Sequence, residues 1–508
     1  MSPMRLSPSL LLCCLACTAC AATTSDSTAT SWILRPEEAW SFNWEERRLA
    51  NSDGVSMPGF GRTALPVTPG VWGEVGVGVD ASSQGRADRV PGTAPLPKGL
   101  SSLAWAELWM AKGPVFLHLR PEVVVGGGSI ANPVARQAWT GTAAELDLDA
   151  AEVAPRATLG LTGCGQMLAL SNEPFRWGEG IFGGVMLGQS WRGFPHVVLT
   201  NCGPQSPAPE GSWLEPLAVG YEAVVGQLTD STTTAGDGVQ FAGLRMALRW
   251  EAVTLSWSKS MLFGGSEQPD MGWGEVASNL LSPRSGNDGS TAPGEPNPNR
   301  WASVGVRIDW PPRVAWSIEY GIDDQNTRVE DQRINTTLTQ EARWTSATWT
   351  ATVDWLDLTG DDDWRVAAEW YRSESYTYDH GVYAWDDAGF PLAHADGGNA
   401  DSVRLLCQHV DGDQGRWTGI AGWRRQGWRN AETDNPNTDR KDTGVPGSSS
   451  YATMVWDRWS LDGRYEVPLD DHWRWWSEAG AAWDMHRDFV HAENGLSGWV
   501  GLGAARSW

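Results

Sequence analysis

From Arg300 to Asp324 the chain reads RWASVGVRIDWPPRVAWSIEYGIDD. Read by twos, Ala302, Val304, Val306, Ile308 and Trp310 fall on one side and Ser303, Gly305, Arg307 and Asp309 on the other, the pattern of a strand with one apolar face. Pro311 and Pro312 cannot donate to a sheet ladder and mark a turn. Beyond them the alternation resumes with Val314, Trp316, Ile318, Tyr320 and Ile322. Similar short alternating stretches run from VWGEVGVGV near Gly70 to SGWVGLGAARSW at the end, weak singly and strong together. Helical periodicity is confined to LRPEEAWSFNWEERRLA, from Leu34 to Ala50, which predicts a short amphipathic helix.

The connections between these stretches alternate in length. Counting back from Trp508, there is a medium one at His486 to Leu496, the short PLDDH, a long one from Gln426 to Ser450 and the short DGDQG. Next come a long one from Asp379 to Ala400, the short TGDDD, a medium one from Asp323 to Asn335, the Pro-Pro turn, and a long one from Gly264 to Arg300. Long and short in strict alternation predict an all-β, antiparallel, up-and-down transmembrane barrel, with short turns on one side of the membrane and long loops on the other. Lipid then covers the apolar faces. A soluble propeller would need a recurring motif, and the chain shows none.

The N-terminus supports export. MSPMRLSPSLLLCCLACTACAAT has Arg5, an apolar run and a small-residue site, so residues 1–21 read as a secretory signal peptide. A lipoprotein signal ending at Cys17 or Cys20 is the alternative, although a Cys, not a Leu, stands three residues before each. Residues 22–69 then form a periplasmic or plug segment containing the predicted helix, and 70–508 the barrel. Four of the seven cysteines lie in the signal, leaving Cys164, Cys202 and Cys407, too few for a disulfide framework. The formal net charge of −24 argues against nucleic acid as a partner. The 33 tryptophans, against 8 Tyr and 10 Phe, fit aromatic girdles at two membrane interfaces, with a minority left to stack on a ligand.

The final strand, with Val500, Leu502 and Ala504 in alternation and the terminal Trp508, resembles the assembly signal of bacterial outer-membrane barrels. This makes the outer-membrane assembly machinery an expected partner, puts the C-terminal end in the periplasm and every long loop outside the cell. Two stretches resist the alternation. Residues 171–215 are rich in Gly, Pro and Trp, and counting strands starts them on the periplasmic side, so they must fill part of the lumen or hide an even number of crossings. The loop from Tyr378 to Gly398 carries His380 and His394 near Asp386, Asp387 and Asp396, but without the ligand spacing of a metal motif. No cofactor is expected and no catalytic motif is present: the chain has neither a nucleophile elbow nor a zincin helix.

At FRWGEG, RGFPHVVLTN, VVGQL, GLRMALRWEAVTLSWSKSMLFGG, YDHGVY and PLAHADGG, from about Arg156 to Gly398, the chain resembles the Wzi family of capsule-assembly outer-membrane proteins. Arg176 stands where that family has the first Trp of a pair. The resemblance implies an eighteen-stranded barrel, occluded within, in the cell outer membrane, acting as a non-enzymatic lectin for surface polysaccharide. A sugar offers an apolar ring face and a rim of hydroxyls, so aromatic planes beside carboxylates suit it. Tyr383 and Trp385 with Asp386 and Asp387 make such a set. His380, His394, Trp177 and Trp191 complete the candidate polysaccharide-binding residues, and an outer-membrane porin is the alternative reading.

Overall fold

A computed structural model of the chain describes residues 31–36, 62–67, 69–83, 97–126, 128–131, 145–148, 151–188, 193–202, 212, 216–229, 235–282, 296, 298–310, 314–323, 347–356, 363–373, 386–387, 390–394, 396–398, 400–411, 415–426, 456–485 and 494–508. Eighteen antiparallel strands close a barrel in chain order. They are β1 Gly70–Ser82, β2 Gly99–Lys112, β3 Val115–Val125, β4 Ala151–Gly163, β5 Gln166–Ser171, β6 His196–Asn201, β7 Leu217–Gln227, β8 Val239–Trp250 and β9 Val253–Gly264. They continue as β10 Asn299–Trp310, β11 Val314–Asp323, β12 Ala347–Leu356, β13 Trp364–Ser373, β14 Ala400–Val410, β15 Arg416–Gln426, β16 Trp456–Pro468, β17 Trp473–Met485 and β18 Gly495–Ser507. The ring closes where β18 pairs with β1, Ser507 opposite Glu74 and Trp499 opposite Ser82.

The alternation that opens the sequence sets the wall inside out relative to a soluble protein. On β10 and β11, Val304, Val306, Ile308, Trp310, Trp316 and Ile318 are exposed, whereas Ser303, Arg307, Ser317 and Glu319 are buried. Ile318 is 61% exposed and its neighbour Glu319 0%. An apolar face of this kind around a closed barrel is a surface for lipid, and closure satisfies the backbone groups that hydrocarbon could not. Tryptophans gather towards both ends of the wall. Trp423, Trp459 and Trp483 stand side by side in register across β15, β16 and β17. Towards the other end are exposed Trp250, Trp310, Trp355, Trp364, Trp417 and Trp473. On β13 and β15 the two levels are six residues apart, about 20 Å along a strand.

The sequence pattern misses three strands. Gly99–Lys112 is a full strand, RATLGLTGCGQMLAL is a hairpin of β4 and β5 folded at Cys164 and Gly165, and His196–Asn201 crosses alone as β6. Cys164 hides the turn because a non-glycine residue takes positive φ there (53°). Between Ser171 and β7 the described residues hold one extra crossing, β6, not the even number expected, so Ser171 lies at the long-loop end of the barrel, not at the short-turn end; the split of β4 from β5 restores the count upstream. Of the helix expected from Leu34 to Ala50, Leu34, Arg35 and Pro36 belong to a short strand, Ser31–Pro36, paired with Arg62–Val67; the remainder is outside the described residues, as is the signal segment. One helix, α1 (Trp273–Leu281), is described, between β9 and β10. No disulfide joins Cys164, Cys202 and Cys407.

Candidate functional site

Two of the stretches singled out in the sequence, more than 200 residues apart, meet inside the barrel. After β5 the chain turns inward, and residues 173–188 are buried throughout. The crossing is tied to the wall strand by strand. The Asn172 side chain accepts from the Ala157 amide on β4 (2.6 Å) and Glu173 accepts from Thr158 (2.8 Å), with His118 Nδ1 of β3 2.6 Å away. Trp177 donates from Nε1 to Glu222 of β7 (2.7 Å), and its ring packs with Phe175 and with Phe241 of β8. Glu179 pairs with Arg245 of β8 (3.0 Å) and accepts from Ser256 of β9 (3.2 Å), while its amide donates to Glu319 of β11 (2.9 Å). At the far wall Glu369 of β13 accepts from the amides of both Ile181 and Phe182.

The second stretch, from Phe390 to Gly398, comes in from the loop before β14 and locks the first. Gly188 donates to the Leu392 carbonyl (2.6 Å). His394 Nε2 lies 3.1 Å from the other oxygen of Glu369, its ring stacks on Tyr371 of β13 at 3.7 Å, and the Asp396 amide donates to its Nδ1 (3.1 Å). Asp396 accepts from Arg404 (2.6 Å) and Ser402 (2.7 Å), with Arg424 at 3.6 Å. Burial, the largest influence, pushes the Asp396 carboxyl up, but Arg404, His394, Arg424 and the Ser402 hydroxyl together outweigh it and hold the carboxyl at about 2. The glycine content follows from crowding. A side chain at Gly184 would strike the Trp177 carbonyl, and Gly178 has φ 142°. The whole arrangement satisfies backbone groups that a loop inside a barrel would otherwise leave buried without partners.

The structure places the candidate polysaccharide-binding residues unevenly. Trp177 and His394 are both 0% exposed and build the inward segments rather than a surface. Asp386 and Asp387 form a short strand pair with Phe390 and Pro391. His380, Tyr383, Trp385 and Trp191 lie outside the described residues. Trp508 is exposed at the barrel seam, where its amide donates to the Gly73 carbonyl (3.0 Å) and its carbonyl accepts from the Gly73 amide (3.3 Å). The residues that sequence reasoning missed are the wall partners Glu222, Arg245, Glu319 and Glu369. Their signal was present, since each is a charge on the polar side of an otherwise ordinary alternating strand, but nothing local says what it meets. Among the described residues no group of three or more His, Cys, Asp or Glu is placed to hold a metal ion.

No family model and no curated protein matches the chain. Among solved structures it is similar to Wzi of Escherichia coli, described as an outer membrane protein involved in group 1 capsule assembly and a carbohydrate binding β-barrel. The TM-score is 0.57 at 15% identity, over 84% of this chain and 83% of that one. It is also similar, more loosely, to OccK7 of Pseudomonas aeruginosa, with TM-score 0.41 and 10% identity over 86% and 98% of the two chains. The likeness to Wzi shows a shared outer-membrane barrel fold.

Proposed function

We propose that this protein resides in the cell outer membrane with its long loops outside, and that it binds extracellular or capsular polysaccharide and helps attach or organise it at the cell surface. The observation that carries the reading is the lumen crossing: a barrel of Wzi fold whose interior is bridged by two interlocked segments is built to hold a shape at its mouth rather than to pass solute. A solute channel would need the same space clear. In this reading Tyr383 and Trp385, with Asp386 and Asp387, supply the aromatic planes and carboxylates that meet sugar, while Trp177 and His394 belong to the buried lumen segments. The chemistry is binding, without bond cleavage.

The test uses the purified full chain in detergent or nanodiscs and the source organism's own surface polysaccharide, immobilised. Wild type retains on the polysaccharide, and a variant carrying Y383A and W385A retains several-fold less while still migrating as a folded, heat-modifiable barrel. No retention by wild type overturns the function; equal retention by the variant overturns the choice of loop.

A further inference from the structure

The outer wall is not apolar and bare all the way up. On β8 and β9, Phe241 and Leu262 point into the lumen, where they join the cluster around Trp177. Their neighbours Ala242, Met261 and Phe263 therefore point outward. Nearer the short turns, the outward Met246, Leu248 and Leu255 are exposed as lipid-facing residues should be, yet Met261 and Phe263 are buried. What covers them is α1: its Val276 packs on Ala242, Met261 and Phe263, with Val225, Met271 and Leu280 around the edge, and Trp273 meets Phe263 edge-on at 6.3 Å. The helix thus lies against the outside of the barrel. Its C-terminal end is fastened by Lys259, an outward-facing residue of β9 whose ammonium donates to the Ser282 carbonyl (2.8 Å), a charge well placed at that end of a helix dipole.

The barrel covers less of α1 than is apolar. At 3.6 residues per turn, Val276, Leu280, Trp273, Ala277 and Leu281 fall in that order on one arc of roughly 140°. Ser278, Glu275 and Asn279 share the opposite side. Val276 is buried and Leu280 half-buried, while Trp273 (44%), Ala277 and Leu281 (69%) stay exposed. The uncovered part of the apolar arc, Trp273, Ala277 and Leu281, is one flank of the helix. The polar side, where Glu275 accepts from the Gly272 amide (3.3 Å), is the other flank.

We propose that α1 is an interfacial anchor: its Trp273, Ala277 and Leu281 flank enters the boundary between headgroups and acyl chains of the leaflet at the long-loop end, with Ser278 and Glu275 towards water. An amphipathic helix in the interface plane buries its apolar side about 5–10 Å into that boundary, and Trp is the residue that interface favours. Held there, the helix fixes the depth of the rim from which the long loops project. This inference does not depend on what the loops bind.

Ala277 and Ser278 are adjacent, exposed and unpacked, so a nitroxide at either leaves the fold alone. Single labels at A277C, S278C and, as a lipid reference, L248C go into a chain whose exposed thiols are removed by Cys164→Ser and Cys407→Ser, in phosphatidylcholine vesicles. The expected result is oxygen accessibility above that of a water-soluble nickel chelate at 277, as at 248, and the reverse at 278. Nickel accessibility equal at 277 and 278 would overturn the anchor. Exclusion of both reagents from 277, with dipolar broadening between labels, would show a second copy of the chain on that flank and would overturn it equally.

Discussion

The lumen is narrowed in two different ways on its two sides. From β3 round to β13 it is bridged by imported chain, the interlocked segments before β6 and before β14. From β16 through β18 to β2 it is narrowed by side chains of the wall itself. There three inward tryptophans sit in register with the glycine whose space the ring takes: Trp105 opposite Gly76, Trp476 opposite Gly503, Trp499 opposite Gly480. Trp105 and Trp476 then meet with ring centroids 5.1 Å apart. The imported chain is held by a few buried polar ties, each of which orphans its partners if removed. The tryptophan side is held by shape, which fails gradually and locally. The expectation is that the imported side can be released as a unit without breaking the barrel, and that the tryptophan side cannot.

That contrast is breakable. The largest effect is expected from Glu369→Ala, which strips the acceptor from the Ile181 and Phe182 amides and the partner from His394, at roughly 1–3 kcal/mol for each orphaned group. Ion current through an otherwise silent barrel is the expected result in a planar bilayer; continued silence would mean the crossing does not depend on this tie. Asp396→Asn comes next. It leaves Arg404 and Arg424 facing each other without their counter-charge, and a loss of about 3 kcal/mol, reduced by the partial exposure of Arg404, should appear as intermittent openings. Gly503→Val puts a side chain into the Trp476 ring, and overpacking of about 1–3 kcal/mol should lower the thermal midpoint without opening a path; new current here would make the two sides equivalent.

The smallest expected effect is that of acid. The Asp396 carboxyl titrates near 2 when folded against 3.8 ordinarily, so the stability it lends is complete above about pH 4 and is lost as pH falls towards 2. Wild-type current should stay absent from neutral pH to about pH 4 and appear only below, whereas Asp396→Asn should show no change across that window.

Much of the wall was legible because a barrel strand has one face for lipid and one for the lumen, so the period of two survives in the sequence. It faded where that contrast faded. Gly99–Lys112 carries Trp105, Trp109 and Glu107 on its inward face beside alanines on its outward one, which inverts the usual contrast in side-chain size. β6 is six residues long and flanked by Gly and Pro, and β4 and β5 ran together because Cys164 and Gly165 make a turn with no polar signature. The first inward segment announced itself by composition and by resemblance to Wzi; the second was read as an outside loop, and neither its inward course nor the meeting of the two was legible. Trp177 and His394 looked like ligand-facing residues because sequence records an aromatic ring and an imidazole, not that each is enclosed by Glu222 and Glu369 from other strands.

Single-channel conductance of the purified wild-type chain in a planar bilayer tests the central claim most directly. The interlocked crossing predicts a barrel that inserts and stays silent, with Glu369→Ala restoring current. Steady open current from the wild type would contradict it, and would make the protein a channel whose inward segments leave a path.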